Sequence, residues 1–309
     1  MVKGIVGTVG LVIFQLMGNI YGVLPRRLQG FLGNLLGSLL HALKFRAKVI
    51  RQNLSFAFPG DIDTQNRIFR ASYQHLGNLI LEILMVFGSM QKFVLKYVDL
   101  TGKEHVQAAQ KRGKGLIFLS SHVGNWEVMA GAGGLIAEAD LMLVTKHLKP
   151  EWIHQGILRG RLKCKVRGTY EPRTMRDVLG HLKRNGAVGI VLDQYTGPPV
   201  GVRVPLFNTY VGTSLVLAIL AKRTGTTVLP VENFRKPDGR WTVAIGAPLK
   251  WEEHSDANFE LAANTAAYVR IIEKSVLAHP EQWLWTHRRY KGDLTPLRTG
   301  EWNEGRARK

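Results

Sequence analysis

Three kinds of apolar pattern divide the chain. From residue 115 onward, short apolar runs bounded by glycine or polar residues recur at 116–120 (LIFLS), 141–145 (LMLVT), 188–193 (VGIVLD), 226–234 (TTVLPVENF) and 240–246 (RWTVAIG). Their length and β-branched content predict strands. Between them lie stretches that read as helices: VMAGAGGLIAEA after the first run, a segment from about 150, residues 173–185, TSLVLAILAKRTG at 213–225, and a long helix over 256–278. Strand and helix alternating in this way predict an α/β domain with a mostly parallel sheet flanked by helices. Residues 47–97 read as helical throughout, with RQNLSFAFPGD as a helix end and turn and 64–88 as a long amphipathic helix.

The N-terminus follows a third pattern. No charge stands between Lys3 and Arg26, and residues 4–25 approach the roughly 20 apolar residues that cross a bilayer, although glycines, Gln15 and Asn19 interrupt them. Residues 28–43 (LQGFLGNLLGSLLHAL) are apolar around most of a helix and suit an interfacial position or packing on the first segment. The small-residue pattern of a cleavage site is missing, which favours a retained anchor. Arg26, Arg27, Lys44, Arg46, Lys48 and Arg51 follow, and the positive-inside rule then keeps the body in the cytoplasm. The competing reading is a buried helical hairpin. The organisation expected is membrane-associating helices at 1–45, one α/β domain at 46–300 and a basic tail at 301–309.

Composition narrows the function. At 309 residues and 45% hydrophobic content the chain can bury a full core. Its single cysteine, Cys164, excludes an internal disulfide or a cysteine-based zinc cluster. Forty-two Lys and Arg against 23 Asp and Glu give a formal net charge of +19, which calls for an anionic partner. Nucleic acid has only that charge in its favour, since no zinc-finger, RNP-like or basic-heptad pattern is present. An anionic membrane fits both the charge and the N-terminus.

Candidate chemistry centres on residues 120–127, SSHVGNWE. His122 follows a buried strand and precedes a helix, at the strand's carboxyl end, where open α/β sheets place their ligands. His122 and Glu127 are five apart with no second histidine nearby, which argues against an H-E-x-x-H metal site, and no G-x-S-x-G elbow exists. A general-base dyad is the third option: the chain folds back through Gly124, Glu127 meets one ring nitrogen, and the other nitrogen takes a proton from a hydroxyl. Against it stands a hydrogen-bonded structural histidine. Asp193 also ends an apolar run, where it either hydrogen-bonds a catalytic group or caps the next turn.

HVGNWE resembles the H-x-x-x-x-E motif of membrane glycerolipid acyltransferases, in the version of the lipid A late acyltransferase family. RQNLSFAFP (51–59), LRGRL (158–162), LDQYTGPPVGVRVPLF (192–207) and HPEQWLWTHRRYK (279–291) are similar to further elements of that family. Two departures are Tyr195, where the family commonly has Asp, and Leu206-Phe207-Asn208 in place of Phe-Phe-Gly; they bear on the substrate more than on the reaction. The resemblance implies a glycerolipid-acyltransferase-like α/β fold. It implies transfer of a fatty acyl chain from an acyl carrier protein or coenzyme A thioester to a hydroxyl of a lipid A precursor, at the cytoplasmic side of a bacterial inner membrane. No metal, cofactor or nucleic acid is implied, and a monomer is expected. His122 and Glu127 become the expected catalytic pair. Asn125, Arg159, Arg161, Asp193 and Gln194 become the expected substrate contacts, the arginines suiting a phosphate, with a solvated basic loop as the alternative. Another glycolipid or aminolipid acceptor is the nearest rival; a non-catalytic membrane-binding or nucleic-acid-binding protein is a more distant one.

Overall fold

The computed structural model describes residues 2–291, with side chains from residue 7; the expected basic tail lies outside the described residues. Five helices come first: α1 (Val2–Val23), α2 (Arg26–Ala42), α3 (Ala47–Ala57), α4 (Ile62–Ile83) and α5 (Met90–Tyr97). The α/β part follows as β1 (Val98–Thr101), α6 (Lys103–Lys111), β2 (Leu116–Ser120), α7 (Trp126–Leu135), β3 (Leu141–Val144), α8 (Glu151–Lys163), β4 (Val166–Thr169), α9 (Thr174–Lys183) and β5 (Ala187–Val191). It ends with the hairpin β6 (Gly201–Leu206) and β7 (Thr209–Ser214), then α10 (Val216–Thr224), β8 (Thr227–Arg235), β9 (Trp241–Ile245) and α11 (Ala257–Ala278). Side-chain caps start the helices where polar residues precede them: Asp61 accepts from the Thr64 N–H, and Asp256 from those of Asn258 and Phe259.

Seven strands form one sheet in the order β1-β9-β8-β2-β5-β3-β4. All neighbours are parallel except β8 and β9. Successive side chains of β2 point to opposite faces, so Ile117 and Leu119 join a core with α3, α4, α9, α10 and α11, while Leu116 and Phe118 join a second core with α5, α6 and α7. Burial on both faces explains why this strand reads as an unbroken apolar run.

The structure adds strands that the sequence reading lacks. β1 and β4 are four residues each, and VRGT of β4 sits in a run of cations that masks it. Residues 213–214 belong to β7 and not to the following helix, because Val204 and Val211 pair across the hairpin and are both fully buried.

The N-terminal helices pack onto the body through small residues. Gly18 lies against the Leu84 carbonyl and accepts from Ser89 Oγ at 2.6 Å; Trp152 covers Gly7 and Gly10; Phe14 meets Phe87 and Trp152 edge to face. α2 crosses α4 where Gly33, Gly37 and Gly77 let the backbones approach. Among the described residues no single helix is long and apolar enough to cross a membrane, so the expected transmembrane anchor is not supported. The glycines that weaken the pattern as a span are the ones that seat these helices on the protein. Their outer faces stay apolar and exposed: Val9, Ile13, Leu16 and Ile20 on α1, and Phe31, Leu35 and Leu39 on α2.

Candidate active site

β2 and β5 run side by side and in the same direction, with Ser120 level with Val191. The residues just past their carboxyl ends, His122 and Asp193, therefore meet. Asp193 Oδ1 is 2.7 Å from His122 Nδ1, and Asp193 Oδ2 accepts from the His122 backbone N–H at 2.8 Å and from Trp283 Nε1 at 2.7 Å. The aspartate is 5% exposed, whereas the histidine side chain is 16% exposed, and Nε2 is the ring nitrogen that Asp193 leaves unbound. Gln194 Nε2 is 3.4 Å from that nitrogen, and the Trp126 ring stands edge-on to the imidazole with centroids 5.0 Å apart.

The expected His122–Glu127 pair is not formed. Glu127 lies in the first turn of α7, but its carboxylate turns to Arg161 on α8, with Arg161 Nε to Oε2 at 2.9 Å and Nη2 to Oε1 at 2.6 Å. Both members of this two-pronged ion pair are largely buried, and it ties α7 to α8. Arg159 is exposed: positions two apart on a helix face in different directions, so only one arginine of Arg-Gly-Arg reaches inward. Close approach of Gly160 to the Val86 carbonyl lets α8 sit near enough for that reach.

Asn125 is also differently employed. It is fully buried as the N-cap of α7, its Oδ1 accepting from the Glu127 and Val128 N–H groups at 3.0 and 3.3 Å and its Nδ2 donating to Glu82 at 3.1 Å. Fully buried behind those bonds, its side chain is not exposed to a substrate. Of the residues expected to contact substrate, the structure brings Asp193 and Gln194 to His122, places Arg161 on Glu127, and leaves Arg159 and Asn125 away from the imidazole.

Charges and hydrogen bonds set the protonation of the pair. Burial opposes a charged imidazole, but the Asp193 charge and its hydrogen bond outweigh it and raise the His122 pKa above the usual 6.5. Asp193 is likewise penalised by burial, yet the His122 charge and the donors around it hold its carboxyl well below the usual carboxylate range. Arg289, fully buried and with its pKa lowered to about 10 by burial, donates to the Gln194 and Gly212 carbonyls at 3.0 and 2.6 Å and braces the turn that carries Asp193. Trp283 and Trp285 are core residues, 4% and 1% exposed.

The sequence reading missed two polar residues. Glu82 is 1% exposed and accepts from Arg235 at 2.8 Å and from Asn125; a lone acid inside the apolar run NLILEILMV is the signal that marks it. Asn233, on β8, is equally buried. Among the described residues no cluster of His, Cys, Asp and Glu is arranged to hold a metal ion.

On the α7 face of the sheet an apolar slot of about 40 Å³ is lined by Phe118, Met129, Gly133, Leu143, Gly189 and Val231. Ser120, two residues before His122, is at its wall.

A family model described as bacterial lipid A biosynthesis acyltransferase matches residues 6–292. The chain is 27% identical over 266 residues to a lipid A biosynthesis lauroyltransferase of Escherichia coli, covering 84% of each chain. It is 27% identical over 276 residues to a lipid A biosynthesis palmitoleoyltransferase of the same organism, covering 87% of this chain and 86% of that one. It is also 26% identical over 236 residues to a phosphatidylinositol mannoside acyltransferase of Mycobacterium tuberculosis, covering 75% and 72%.

Proposed function

Because this chain belongs to the bacterial lipid A biosynthesis acyltransferase family and is an acyltransferase, we propose that it moves a fatty acyl chain from a carrier thioester to a hydroxyl of a lipid A precursor, with His122 as general base. The observation that carries this assignment is a partly exposed imidazole whose Nδ1 is bound 2.7 Å from a buried carboxylate, with Nε2 as its other nitrogen. Asp193 fixes the tautomer with the proton on Nδ1, which leaves Nε2 as the acceptor, and its charge balances the imidazolium that forms. His122 takes the proton of the acceptor hydroxyl as the oxygen adds to the thioester carbonyl. The adduct then expels sulfur, and the thiol leaves with the proton returned by His122. A positioned base of this kind contributes roughly 10²–10⁴-fold.

Glu127 and Arg161 act behind this pair by locking α7 to α8, which fixes the helix start at Trp126, four residues after His122, in register with the catalytic turn. The apolar slot beside β2 receives the first part of the acyl chain once Met129, a flexible side chain, moves aside. The donor is an acyl carrier protein or coenzyme A thioester.

The reaction takes place at the cytoplasmic face of the inner membrane. Exposed apolar residues on α1 and α2 flank the exposed cations Arg27, Lys44, Arg46 and Lys48, an arrangement suited to a helix pair lying in an anionic interface. A relative named for phosphatidylinositol mannoside supports a second reading, in which the acceptor is another glycolipid.

The test is to incubate purified protein with a lipid A precursor and, separately, acyl carrier protein and coenzyme A thioesters, and to weigh the products by mass spectrometry. One added acyl ester, dependent on His122, is expected. Acylation of a mannosylated lipid alone would replace the lipid A reading by the second one, and no acylation of either would end both.

A further inference from the structure

The turn that carries His122 is held from two sides. On one side lies the segment at 282–284: Gly124 N–H donates to the Gln282 carbonyl at 2.9 Å, and Leu284 N–H to the His122 carbonyl at 3.1 Å. On the other side is a single side chain. Asn233 Nδ2 donates to the Val123 carbonyl and Asn233 Oδ1 accepts from the Asn125 N–H, both at 2.8 Å. Asn233 thus spans Gly124, whose φ of +70° is natural for glycine, and a Cβ there would collide with the Asn233 backbone and amide.

We propose that Asn233 is a positioning residue for the acyl transfer, its carboxamide clamping the two peptide groups around Gly124 so that His122 is presented in the one orientation that meets both Asp193 and the acceptor hydroxyl. The proposal rests on the assignment of His122 as base. The chemistry of the site favours an amide: one donor and one acceptor are needed, on one planar group, facing a carbonyl and an N–H. The Asn233 side chain is confined by its burial, the residue being 1% exposed. The neighbouring Glu232, also at the end of an apolar run, makes no such bond to the turn. A shift of about 1 Å in a reacting group can cost on the order of 10²-fold in rate, so a clamp two residues from the base acts on turnover.

Three variants separate positioning from simple support. Asn233→Ala removes the clamp and should lower kcat by about 10²-fold while both KM values stay within about threefold. Val106→Ala, on the buried face of α6, serves as a comparison that loses stability without touching the turn, and should keep its kcat. Asn233→Asp keeps the shape and the acceptor. Its carboxyl faces the Val123 carbonyl, so burial favours the protonated form, whose O–H restores the missing donor. The ratio of its kcat to that of the wild type should therefore rise several-fold as the pH is lowered from about 9 to about 6. If Asn233→Ala does not fold, the Asp variant decides by that ratio. A ratio flat with pH, a folded Asn233→Ala with wild-type kcat, or an equal loss of kcat in Val106→Ala would each overturn the clamp. If the wild type transfers no acyl chain, the proposed function fails instead. The clamp is then read in the low-field proton NMR signal of His122 Nδ1, which should vanish in Asn233→Ala and, if unchanged, overturns it.

Discussion

Asp193 holds His122 twice, one oxygen 2.7 Å from the ring Nδ1 and the other accepting the backbone N–H of the same residue at 2.8 Å. The side chain and the main chain of the base are thus referenced to a single carboxylate. Asp193→Asn keeps the shape but neither balances an imidazolium nor enforces the tautomer, so it should cost kcat roughly 10²–10⁴-fold. Because the two residues act as one unit, His122→Ala with Asp193→Asn should be hardly slower than His122→Ala alone. Losses that multiply in a folded double variant, measured by initial rates, would separate Asp193 from the base.

The same pair sets a pH dependence. Turnover needs neutral His122, whose pKa is raised above 6.5 by Asp193 against the effect of burial, so the acid limb of kcat/KM should have its midpoint above 6.5. In Asp193→Asn the burial penalty is left unopposed, and the midpoint should move down. Stability follows the linked signs. The raised His122 pKa contributes stability fully present below 6.5 and lost as pH rises through its folded value. The depressed Asp193 pKa contributes stability present above 3.8 and lost as pH falls through its folded value. Thermal melts from acid to alkaline pH should show this contribution largest between those two limits and absent in Asp193→Asn.

The sequence displays His122 and Asp193 separately, each at the end of an apolar run, but does not display that the runs are neighbours. Glu127 is five positions from His122 and Asp193 is seventy-one, so local reasoning favours the nearer acid. Adjacency of β2 and β5 reverses that choice, and it depends on strand order, a non-local property. Residues 256–278 were legible because an Asp cap precedes a long helix, and β2 because both its faces are buried. The hairpin at 201–214 was not, since proline and glycine at its start obscure the alternation, and Asn233 needs the fold to reveal what its amide faces.

Glu127 and Arg161 are expected to matter first for stability. Their side chains are 5% and 12% exposed, so removing one partner strands the other's charge, a loss of roughly 3–5 kcal/mol for a buried pair. Arg161→Lys loses the planar fork and should melt earlier with little change in KM. Arg161→Met combined with Glu127→Gln should regain part of the loss of either single change. A raised KM at unchanged melting temperature in Arg161→Lys would mean instead that the guanidinium contacts substrate.

Membrane attachment should divide into two parts. Phe31, Leu35 and Leu39 recur every four residues on α2 and are 63%, 59% and 54% exposed. Replacing all three with Ser should reduce the binding to anionic vesicles that persists at high salt. Replacing Lys44, Arg46 and Lys48 with Gln should reduce only the binding that salt already screens. Flotation of both variants over a salt series reads the division, and equal salt-resistant binding of the Ser variant and the wild type would remove α2 from the interface.

Chain length is expected to be set at the far wall of the apolar slot. Gly189 pairs with Phe118 and Leu143 in the middle of the sheet, and a Cβ there would lie 2.6 Å from the Leu143 side chain; one at Gly133 would lie 3.0 Å from Leu141. At these two glycines Leu143 and Leu141 pack close, and a methyl added at either position has to displace them. If the acyl chain enters past Met129 as proposed, each methylene that displaced side chains no longer let the slot bury forfeits about 0.8 kcal/mol. Gly189→Ala should therefore shift selectivity toward shorter acyl thioesters, with kcat/KM falling most for the longest donor and changing little for a short one. Donors of graded length assayed at equal concentration measure the shift. A uniform loss across all lengths would show that the added methyl disturbs the sheet and that the acyl chain lies elsewhere.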